Sequence, residues 1–268
     1  MSSHNSDASG SVVSWHRDDD LLWVTLDAPE RANALSPEMI GLLSDLYRRD
    51  WLAEGVRAVL LSGAGNHFSA GADLEHLGSL QTAGVEENRR DSERLRGLFE
   101  AVLRQEALTI ALVHGSCVAG GCGLATAHDF VIATDDSRFM YSEVRIGFVA
   151  ALVATFLPLR LKGRDIRELL LAPDFVSADA ALDIGLVNRV VAPASLQAAG
   201  EEMAAGILKG ASSSSIALTK RVLLEALGRP LDKALDLAAA INAEARATVD
   251  CRRGITAFLE TKSPPQWR

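Results

Sequence analysis

The stretch HGSCVAGGCGLATAHDF, residues 114 to 130, places three glycines within four positions where an Ala- and Leu-bearing helical pattern begins. They are Gly120, Gly121 and Gly123. Glycine lets other groups approach the backbone closely, and the first N–H groups of a helix have no partners within it. A helix start of this kind is a natural place for an anion, or for an oxygen that acquires negative charge.

A second glycine-bearing turn, NHFSAGADLEHL at 66–77, also follows a buried strand pattern. Two such turns can direct two backbone N–H donors at one oxygen, an arrangement that stabilises an enolate or a tetrahedral oxyanion. Either turn alone is better explained as a tight strand-to-helix connection, because isolated glycine-rich motifs are weak signals. Only the two together, in this order and spacing, indicate a site.

The composition is that of an ordinary globular protein, with 48% hydrophobic and 23% charged residues in 268. A net charge of -8 argues against nucleic-acid binding, which depends on many Lys and Arg contacts to phosphates. Cys117, Cys122 and Cys251 show no C-x-x-C spacing, which argues against a disulfide scaffold or a zinc site. We therefore expect a cytoplasmic protein with no metal and no nucleic-acid partner.

Residues 1–11 are polar, lack the layout of a signal peptide and are predicted to be a disordered tail. Two weakly charged stretches, 108–127 and 146–159, are interpreted as buried core rather than as membrane spans. The first is rich in glycine, and the second is shorter than the roughly 20 residues that cross a bilayer. No membrane association is expected.

Strand and helix patterns alternate over the first two hundred residues. The segment 21–29, LLWVTLDAP, alternates in period two and predicts a strand, while 56–63, 108–115 and 129–134 are short apolar runs that suit strands buried on both faces. Helical patterns cover 37–51 and a segment carrying Leu95, Leu98, Phe99, Val102 and Leu103. This alternation predicts an α/β core over residues 12–194.

From Ser195 onward the strand patterns cease. Three Ala- and Leu-rich segments, 195–210, 212–227 and 231–250, predict helices. We therefore place a domain boundary between residues 194 and 195, with an all-helical part at 195–268.

Six motifs carry a resemblance that covers nearly the whole chain, from about Trp15 to Trp267. They are ERANALS (30–36), FSAGADL (68–74), GGCGLATAHDFVIA (120–133), SEVRIGF (142–148), ALDIGLVNRVV (181–191) and GITAFLETKSPPQW (254–267). With them the chain resembles the enoyl-CoA hydratase/isomerase, or crotonase, superfamily. The resemblance implies a crotonase-like spiral of repeated ββα units, and a C-terminal helical part that joins subunits into a homotrimer or hexamer.

The resemblance also implies an active site for an acyl-CoA thioester. The backbone N–H groups of Ala70 and Gly120 would form the oxyanion hole, and Glu143 would be the catalytic acid and base. Coenzyme A would be part of the substrate, with no separate cofactor. The residues implied to contact the substrate are Arg31, Ala32, Ala34, Ala70, Gly71, Ala72, Asp73, Leu74 and Gly120, with Phe258 and Lys262 reaching a neighbouring subunit's CoA.

The chain departs from the two-carboxylate pattern at Gly123, which stands at the first of the superfamily's two catalytic carboxylate positions. Hydratases of the two-glutamate type use both acids, whereas moving a double bond needs one base. The weight of the family favours hydration of a 2-enoyl-CoA; the alternative is a Δ3-Δ2-enoyl-CoA isomerase with a single glutamate. A side chain added at position 123 is expected to point toward the substrate's β carbon.

A third alternative, of another class, is a non-catalytic relative that binds acyl-CoA or RNA. The helix pattern at 85–106 mixes arginine with glutamate and has no lysine, which disfavours RNA binding.

Other polar residues are weaker candidates for catalysis. Cys122 is interpreted as a small core residue rather than a nucleophile, because no histidine is evidently placed to activate it. Structural hydrogen-bonding groups are expected at His114, His128 and Asp129, and weak site candidates at His67, Glu75 and His76.

Overall fold

The computed structural model describes residues 11–263 and 265–267. The predicted disordered tail, residues 1–11, lies outside this range except for Ser11. The strands are β1 (Val13–Asp18), β2 (Leu21–Leu26), β3 (Ala58–Gly63), β4 (Leu108–Val113), β5 (Ser116–Val118), β6 (Phe130–Thr134), β7 (Arg138–Met140), β8 (Val176–Ser177) and β9 (Arg189–Val191). The α-helices are α1 (Pro37–Arg48), α2 (Leu74–Leu80), α3 (Val85–Arg104), α4 (Gly120–Ala127), α5 (Ala151–Phe156), α6 (Gly163–Leu171), α7 (Ala178–Asp183), α8 (Leu196–Gly210), α9 (Ser213–Glu225), α10 (Leu231–Ala247) and α11 (Val249–Thr261).

The larger sheet has the strand order β1-β2-β3-β4-β6-β9, and a second sheet has the order β5-β7-β8. In the larger sheet β1 and β2 form an antiparallel hairpin, and the remaining pairs are parallel. The four predicted strands are confirmed as β2, β3, β4 and β6. Because parallel strands place their carboxyl ends at one edge, the turns after β3 and β4 emerge on the same side of the molecule.

The central strands of the larger sheet are buried on both faces, and β2 has buried side chains on each of its faces. One face packs Leu22, Val24 and Leu26 into the main core with α1 and α3. The opposite face packs Trp23 and Leu60 with residues of α8 such as Ala204. Alternate residues of β2 therefore enter two different cores. The face that would be exposed to solvent in a half-buried strand is covered here by α8.

The first helix is specified by its ends and by its apolar face. Ser36 caps α1 by accepting the N–H of Met39, and Pro37 occupies the first turn, where it sacrifices no helical hydrogen bond. Leu43 and Tyr47 are buried on the inner face. The predicted helix ran to Trp51, but α1 ends at Arg48 and Trp51 packs separately in the core.

The C-terminal part contains four helices where three were predicted. The segment 231–250 was expected to be one helix, but α10 ends at Ala247 and Thr248 caps α11 by accepting the N–H of Cys251. An N-cap threonine ends the preceding helix because its extended backbone, with ψ of 151°, cannot continue it. The domain division at residues 194/195 stays a prediction, and α8 belongs to the cover of the sheet.

Arg57, at the start of β3, joins the C-terminal part to the sheet. Its guanidinium donates to Ser213 Oγ at 2.9 Å, to the Leu208 carbonyl at 2.9 Å and to the Trp267 carbonyl at 2.9 Å. The planar guanidinium suits several acceptors at once. This residue therefore fixes the α8–α9 junction and the end of the chain to the same strand.

No helix in the part of the chain that the structure describes is long and apolar enough to cross a membrane.

Candidate active site

The two glycine-bearing turns lie against each other beyond the carboxyl ends of β3 and β4. Ser69 pairs with Cys117 of β5 in a parallel bridge. The N–H of Val118 donates to the Ser69 carbonyl at 2.9 Å, and the N–H of Phe68 donates to the His114 carbonyl at 3.0 Å. The two turns that the sequence analysis singled out are therefore hydrogen-bonded to each other.

Gly71 is the position where the turns approach most closely. Its φ of +84° lies in the left-handed region that favours glycine. A Cβ built there would lie 2.5 Å from the Val118 carbonyl oxygen and 3.2 Å from the Gly120 nitrogen. Glycine is therefore required, and the peptide that joins it to Ala72 lies beside the start of α4.

In the part of the chain that the structure describes, backbone N–H groups from both turns have no protein acceptor at this junction. Gly120 is the first residue of α4, so its N–H has no acceptor within the helix. Among the residues that the structure describes, no protein acceptor takes the N–H of Gly120 or of Ala72. The prediction that Ala70 supplies one donor is wrong, because the N–H of Ala70 donates to the Ala32 carbonyl at 2.8 Å.

Ala119, just before α4, holds an unusual backbone conformation. Its φ of 48° with ψ of -123° is a combination that residues with a side chain rarely adopt. Its N–H donates to the Met140 carbonyl at 2.7 Å, and its carbonyl accepts the N–H of Gly123 at 3.2 Å. These bonds hold the conformation that orients the Gly120 N–H, and an alanine here gives no signal in the sequence.

Glu143 is the first residue of a one-turn 3-10 helix that ends at Ile146. The side-chain oxygen Oε2 is buried and has no hydrogen-bond partner in the structure as described. Burial raises the pKa of the Glu143 carboxyl above its usual value, and its own backbone N–H partly opposes this shift. A carboxylate with one unpartnered oxygen and a raised pKa is suited to accepting and returning a proton.

The segment that carries Glu143 is attached to α4 by the hydrogen bond of the Cys122 thiol to the Met140 carbonyl at 3.8 Å and by two others. One is the bond from Ala119 to Met140 described above. The other lies between Tyr141 Oη and Thr126 Oγ1, which are 3.4 Å apart in the core. Neither Tyr141 nor Thr126 was singled out in the sequence, since their contact depends on the pairing of β5 with β7.

Gly123, one turn into α4, is enclosed by apolar side chains. A Cβ at this position would lie 2.7 Å from Val153 Cγ2 and 2.8 Å from Phe99 Cζ. An added side chain would have to displace these two groups, and its predicted direction toward the substrate stays a prediction. The vacant carboxylate position is therefore a packed apolar contact.

Some of the residues expected to contact the substrate already have partners within the protein. Arg31 pairs with Asp73 at 3.2 Å and with Glu75 at 2.6 Å. Asp73 is buried and caps α2 by accepting the N–H groups of Glu75 and His76. Leu74 is 76% exposed at the start of α2, and the predicted contacts of this group with a substrate stay predictions.

The remaining predicted substrate contacts fall into two groups. Ala32 and Ala34 lie in the turn before α1, where Ala32 has a left-handed backbone. Phe258 is 53% exposed on α11, and Lys262 caps the end of that helix. Phe258 and Lys262 are predicted to contact a CoA bound to a neighbouring subunit. This contact, like those of Ala32 and Ala34 with the substrate, stays a prediction.

The histidines expected to be structural are hydrogen-bonded. His128 is buried between Tyr47 Oη, 2.7 Å from its Nε2, and the Leu124 carbonyl, 2.8 Å from its Nδ1. Burial lowers the pKa of His128 to about 3, so the ring is neutral near pH 7. His114 lies 3.0 Å from the Gly65 carbonyl.

The other polar candidates also have partners. Asp129 accepts from Thr109 and pairs with Lys220 at 2.7 Å. Cys122 is fully buried, and its thiol donates to the Cys117 carbonyl at 2.8 Å, as expected for a core residue. His76 pairs with Asp91 at 2.7 Å, and His67 Nδ1 accepts the N–H of Ser116.

No group of three or more His, Cys, Asp or Glu side chains within residues 11–263 and 265–267 is arranged to hold a metal ion.

Comparison with known proteins gives consistent results. The family model described as Enoyl-CoA hydratase/isomerase matches residues 16–268. A Thermus thermophilus protein named "Putative enoyl-CoA hydratase" is 44% identical over 91% of this chain and 96% of its own length. The peroxisomal Delta(3,5)-Delta(2,4)-dienoyl-CoA isomerase of Arabidopsis thaliana is 29% identical over 94% of this chain and 95% of its own.

Solved structures show the same likeness. The crystal structure of an enoyl-CoA hydratase from Mycobacterium smegmatis superposes with a TM-score of 0.86 at 31% identity. The alignment covers 96% of this chain and 98% of that one.

Proposed function

Because the chain belongs to the enoyl-CoA hydratase/isomerase family and is an enzyme of that family, we propose that it shifts the double bond of an enoyl-CoA thioester. Glu143 is the single acid and base of this reaction. Superposition on solved relatives confirms the predicted crotonase-like α/β fold with a helical C-terminal part. The observation that carries the proposal is the buried, unpartnered Oε2 of Glu143, on a segment that is hydrogen-bonded to the residue before a helix start with a free N–H.

The thioester carbonyl accepts hydrogen bonds from the N–H groups of Ala72 and Gly120. When a proton leaves the neighbouring α carbon, negative charge develops on this oxygen, and the two donors stabilise it. Losing one such donor typically costs about 2.7 to 4 kcal/mol of transition-state stabilisation. The N-terminus of α4 is the positive end of the helix dipole, and it further stabilises the negative charge on this oxygen.

Glu143 carries the proton between two carbons. Its carboxylate removes a proton from C2 of a 3-enoyl thioester, and the released electron pair delocalises over the acyl chain and the carbonyl oxygen. The resulting carboxylic acid returns the proton to C4, which leaves the double bond between C2 and C3. No atom is added or lost, so one carboxyl group is sufficient.

The packing around Gly123 favours this reaction over hydration. A two-carboxylate hydratase needs an acid at that position, and the space is filled by Phe99 and Val153. Hydration of a 2-enoyl-CoA is the second candidate. It is favoured by the names of relatives, including the Thermus protein and a crotonyl-CoA hydratase from Syntrophomonas wolfei, 30% identical over 92% of this chain and 94% of its own length.

A panel of 2-enoyl-, 3-enoyl- and 3-hydroxyacyl-CoA thioesters tests the proposal. We expect conversion of 3-enoyl-CoA to 2-enoyl-CoA, with proton exchange at C2 in D2O and little 3-hydroxyacyl product. Rapid formation of 3-hydroxyacyl-CoA without any double-bond shift would favour the second candidate. Turnover of neither enoyl substrate by a folded, thioester-binding protein would contradict both.

A further inference from the structure

In the second turn of α4, Gly123 has no side chain, and two apolar side chains from different elements lie against its backbone. Phe99 comes from α3, and Val153 comes from α5. Both are 3% exposed. Each lies closer to the position of a Gly123 Cβ, at 2.8 and 2.7 Å, than carbon atoms approach one another without displacement. Gly123 is thus the residue that lets these side chains touch the helix backbone.

The two side chains belong to one apolar cluster. The ring of Phe99 meets that of Phe156 edge to face, with centroids 5.6 Å apart. Phe156 follows Val153 by one turn of α5 and is 6% exposed. No side chain in this contact offers a hydrogen bond to water. Since an ordered buried water needs two to four polar partners, we expect this contact to be dry.

This cluster is close to the catalytic elements. Gly123 and Gly120 are three residues apart on α4 and therefore share a side of the helix. The segment of Glu143 is bonded to the same helix through Met140 and leads directly into α5, which carries Val153. The free N–H, the carboxyl group of Glu143 and the apolar cluster thus lie on elements that are joined through α4.

We propose that Phe99 and Val153 are the residues that determine the outcome of the reaction, by excluding water and a second acid from the second turn of α4. The inference rests on the proposed function. Hydration would require water to form a C–O bond at the β carbon while a base removes its proton, and neither of the side chains that occupy the space beside Gly123, Phe99 and Val153, can hold that water. With Phe99 and Val153 in place, the substrate meets only Glu143 as a proton carrier, and its acyl chain meets an apolar surface.

Two variants test the inference through the ratio of hydration to double-bond shift. Val153→Thr keeps the shape of the side chain and adds a hydroxyl that can hold water. The pair Gly123→Glu with Val153→Gly removes the obstructing methyl groups and adds the carboxyl group. We expect the ratio to rise about threefold or more in the first and about tenfold or more in the second, within the range of a positioned acid or base. Val85→Thr, the same change at a site 82% exposed on α3, should leave it unchanged.

Gly123→Glu alone should lower the thermal midpoint, because its Cβ meets Val153 at 2.7 Å. An unchanged ratio in a folded, thioester-binding double variant would overturn the inference. If the double variant does not fold, an unchanged ratio in Val153→Thr overturns it. A parent enzyme that shifts no double bond overturns the proposed function and this inference together, whereas an active parent with unresponsive variants overturns the inference alone.

Discussion

At the scale of single residues, the carboxyl group of Glu143 has a buried oxygen that also lacks a hydrogen-bond partner in the described part of the chain, a combination that is unusual for a structural carboxylate. A buried carboxylate ordinarily has hydrogen-bond partners, because an unsatisfied buried polar atom costs about 1 to 3 kcal/mol. Here Oε2 has none among the described residues. Such a cost persists where a substrate supplies the missing partner, which is consistent with a proton-transfer role.

Replacing Glu143 with glutamine should lower turnover by about two to four orders of magnitude while thioester binding is kept. The amide has nearly the same shape but cannot accept and return a proton. In the parent enzyme the carboxyl must be ionised to act as a base, so kcat/KM should fall as the pH drops through a pKa above the ordinary value for glutamate. Rates measured from acid to neutral pH, with CoA-thioester binding by calorimetry, check both points.

Glu201→Gln is the matched control, because Glu201 is exposed on α8. It should change neither turnover nor the acid limb. Near-normal turnover of the Glu143 variant would contradict the role given to that residue.

The sequence predicts which residues surround the site better than it predicts which atoms act. Gly120 and Glu143 follow from motifs; Gly120 begins α4, and the segment that carries Glu143 is hydrogen-bonded to the residue before that helix. The choice between Ala70 and Ala72 depends on whether the Ala32 carbonyl, from a distant turn, captures an N–H. The contact of Phe99 and Val153 with Gly123 likewise depends on how α3 and α5 dock, which no local pattern specifies.

At the scale of elements, the orientation of α4 begins with the strained residue before it. A conformation such as that of Ala119 costs about 1 to 3 kcal/mol and persists only where the surrounding structure imposes it. Its bond to Met140 and the close approach of Gly71 are such constraints. The start of α4 is therefore preorganised before substrate binds.

Ala119→Gly should separate stability from activity. Glycine adopts this conformation without strain, so the free energy of unfolding should stay equal or rise by about 1 kcal/mol, despite the greater entropy of the unfolded chain. The turn gains freedom, so kcat/KM should fall several-fold. Denaturant unfolding and steady-state kinetics give the two quantities.

Asp19→Gly provides the comparison, since Asp19 has a φ of 52° in the turn between β1 and β2. It should relieve a positive φ without any change in kcat/KM. A loss of stability together with full activity in Ala119→Gly would show that Ala119 does not orient the donor.

The sequence predicts strands and helices correctly where local features, such as an apolar run or a capping residue, determine them. The apolar runs of β3, β4 and β6 and the capped start of α1 are examples. The burial of Trp23 was not predictable, because it depends on α8, which arrives far later in the chain. The end of α10 was missed since Ala-rich helix propensity continues through Thr248, whose side chain caps α11 instead.

At the scale of the whole molecule, the C-terminal helices leave much apolar surface uncovered. Exposed apolar side chains on α9, α10, α11 and their connections are Leu223, Leu227, Leu231, Leu235, Val249, Ile255, Phe258 and Leu259. A further set, Val144, Ile146, Phe148 and Val149, follows Glu143. Surfaces of this kind usually mark an interface.

We expect sedimentation at micromolar concentration to give a mass about three or six times the 28.6 kDa of one chain. Leu259→Glu should reduce this mass, because it places a charge on an apolar surface of α11 that would be buried. Gln197→Glu, which adds a charge at an exposed polar position of α8, should not. A parent protein that sediments as a monomer would contradict the expected trimer or hexamer.

The parallel sheet has a consequence for biosynthesis. Within the larger sheet as described, the β1–β2 hairpin joins neighbours in sequence, whereas each parallel pair must wait for an intervening crossover to emerge. Long-range pairings fold slowly, and ribosomes add about 5 to 20 residues per second. A nascent chain therefore carries the unpaired edge of β3 for seconds before β4 is translated. We therefore expect the cellular yield of folded protein to depend on early chaperone binding to β3 in the nascent chain, rather than on chaperone binding to the folded enzyme.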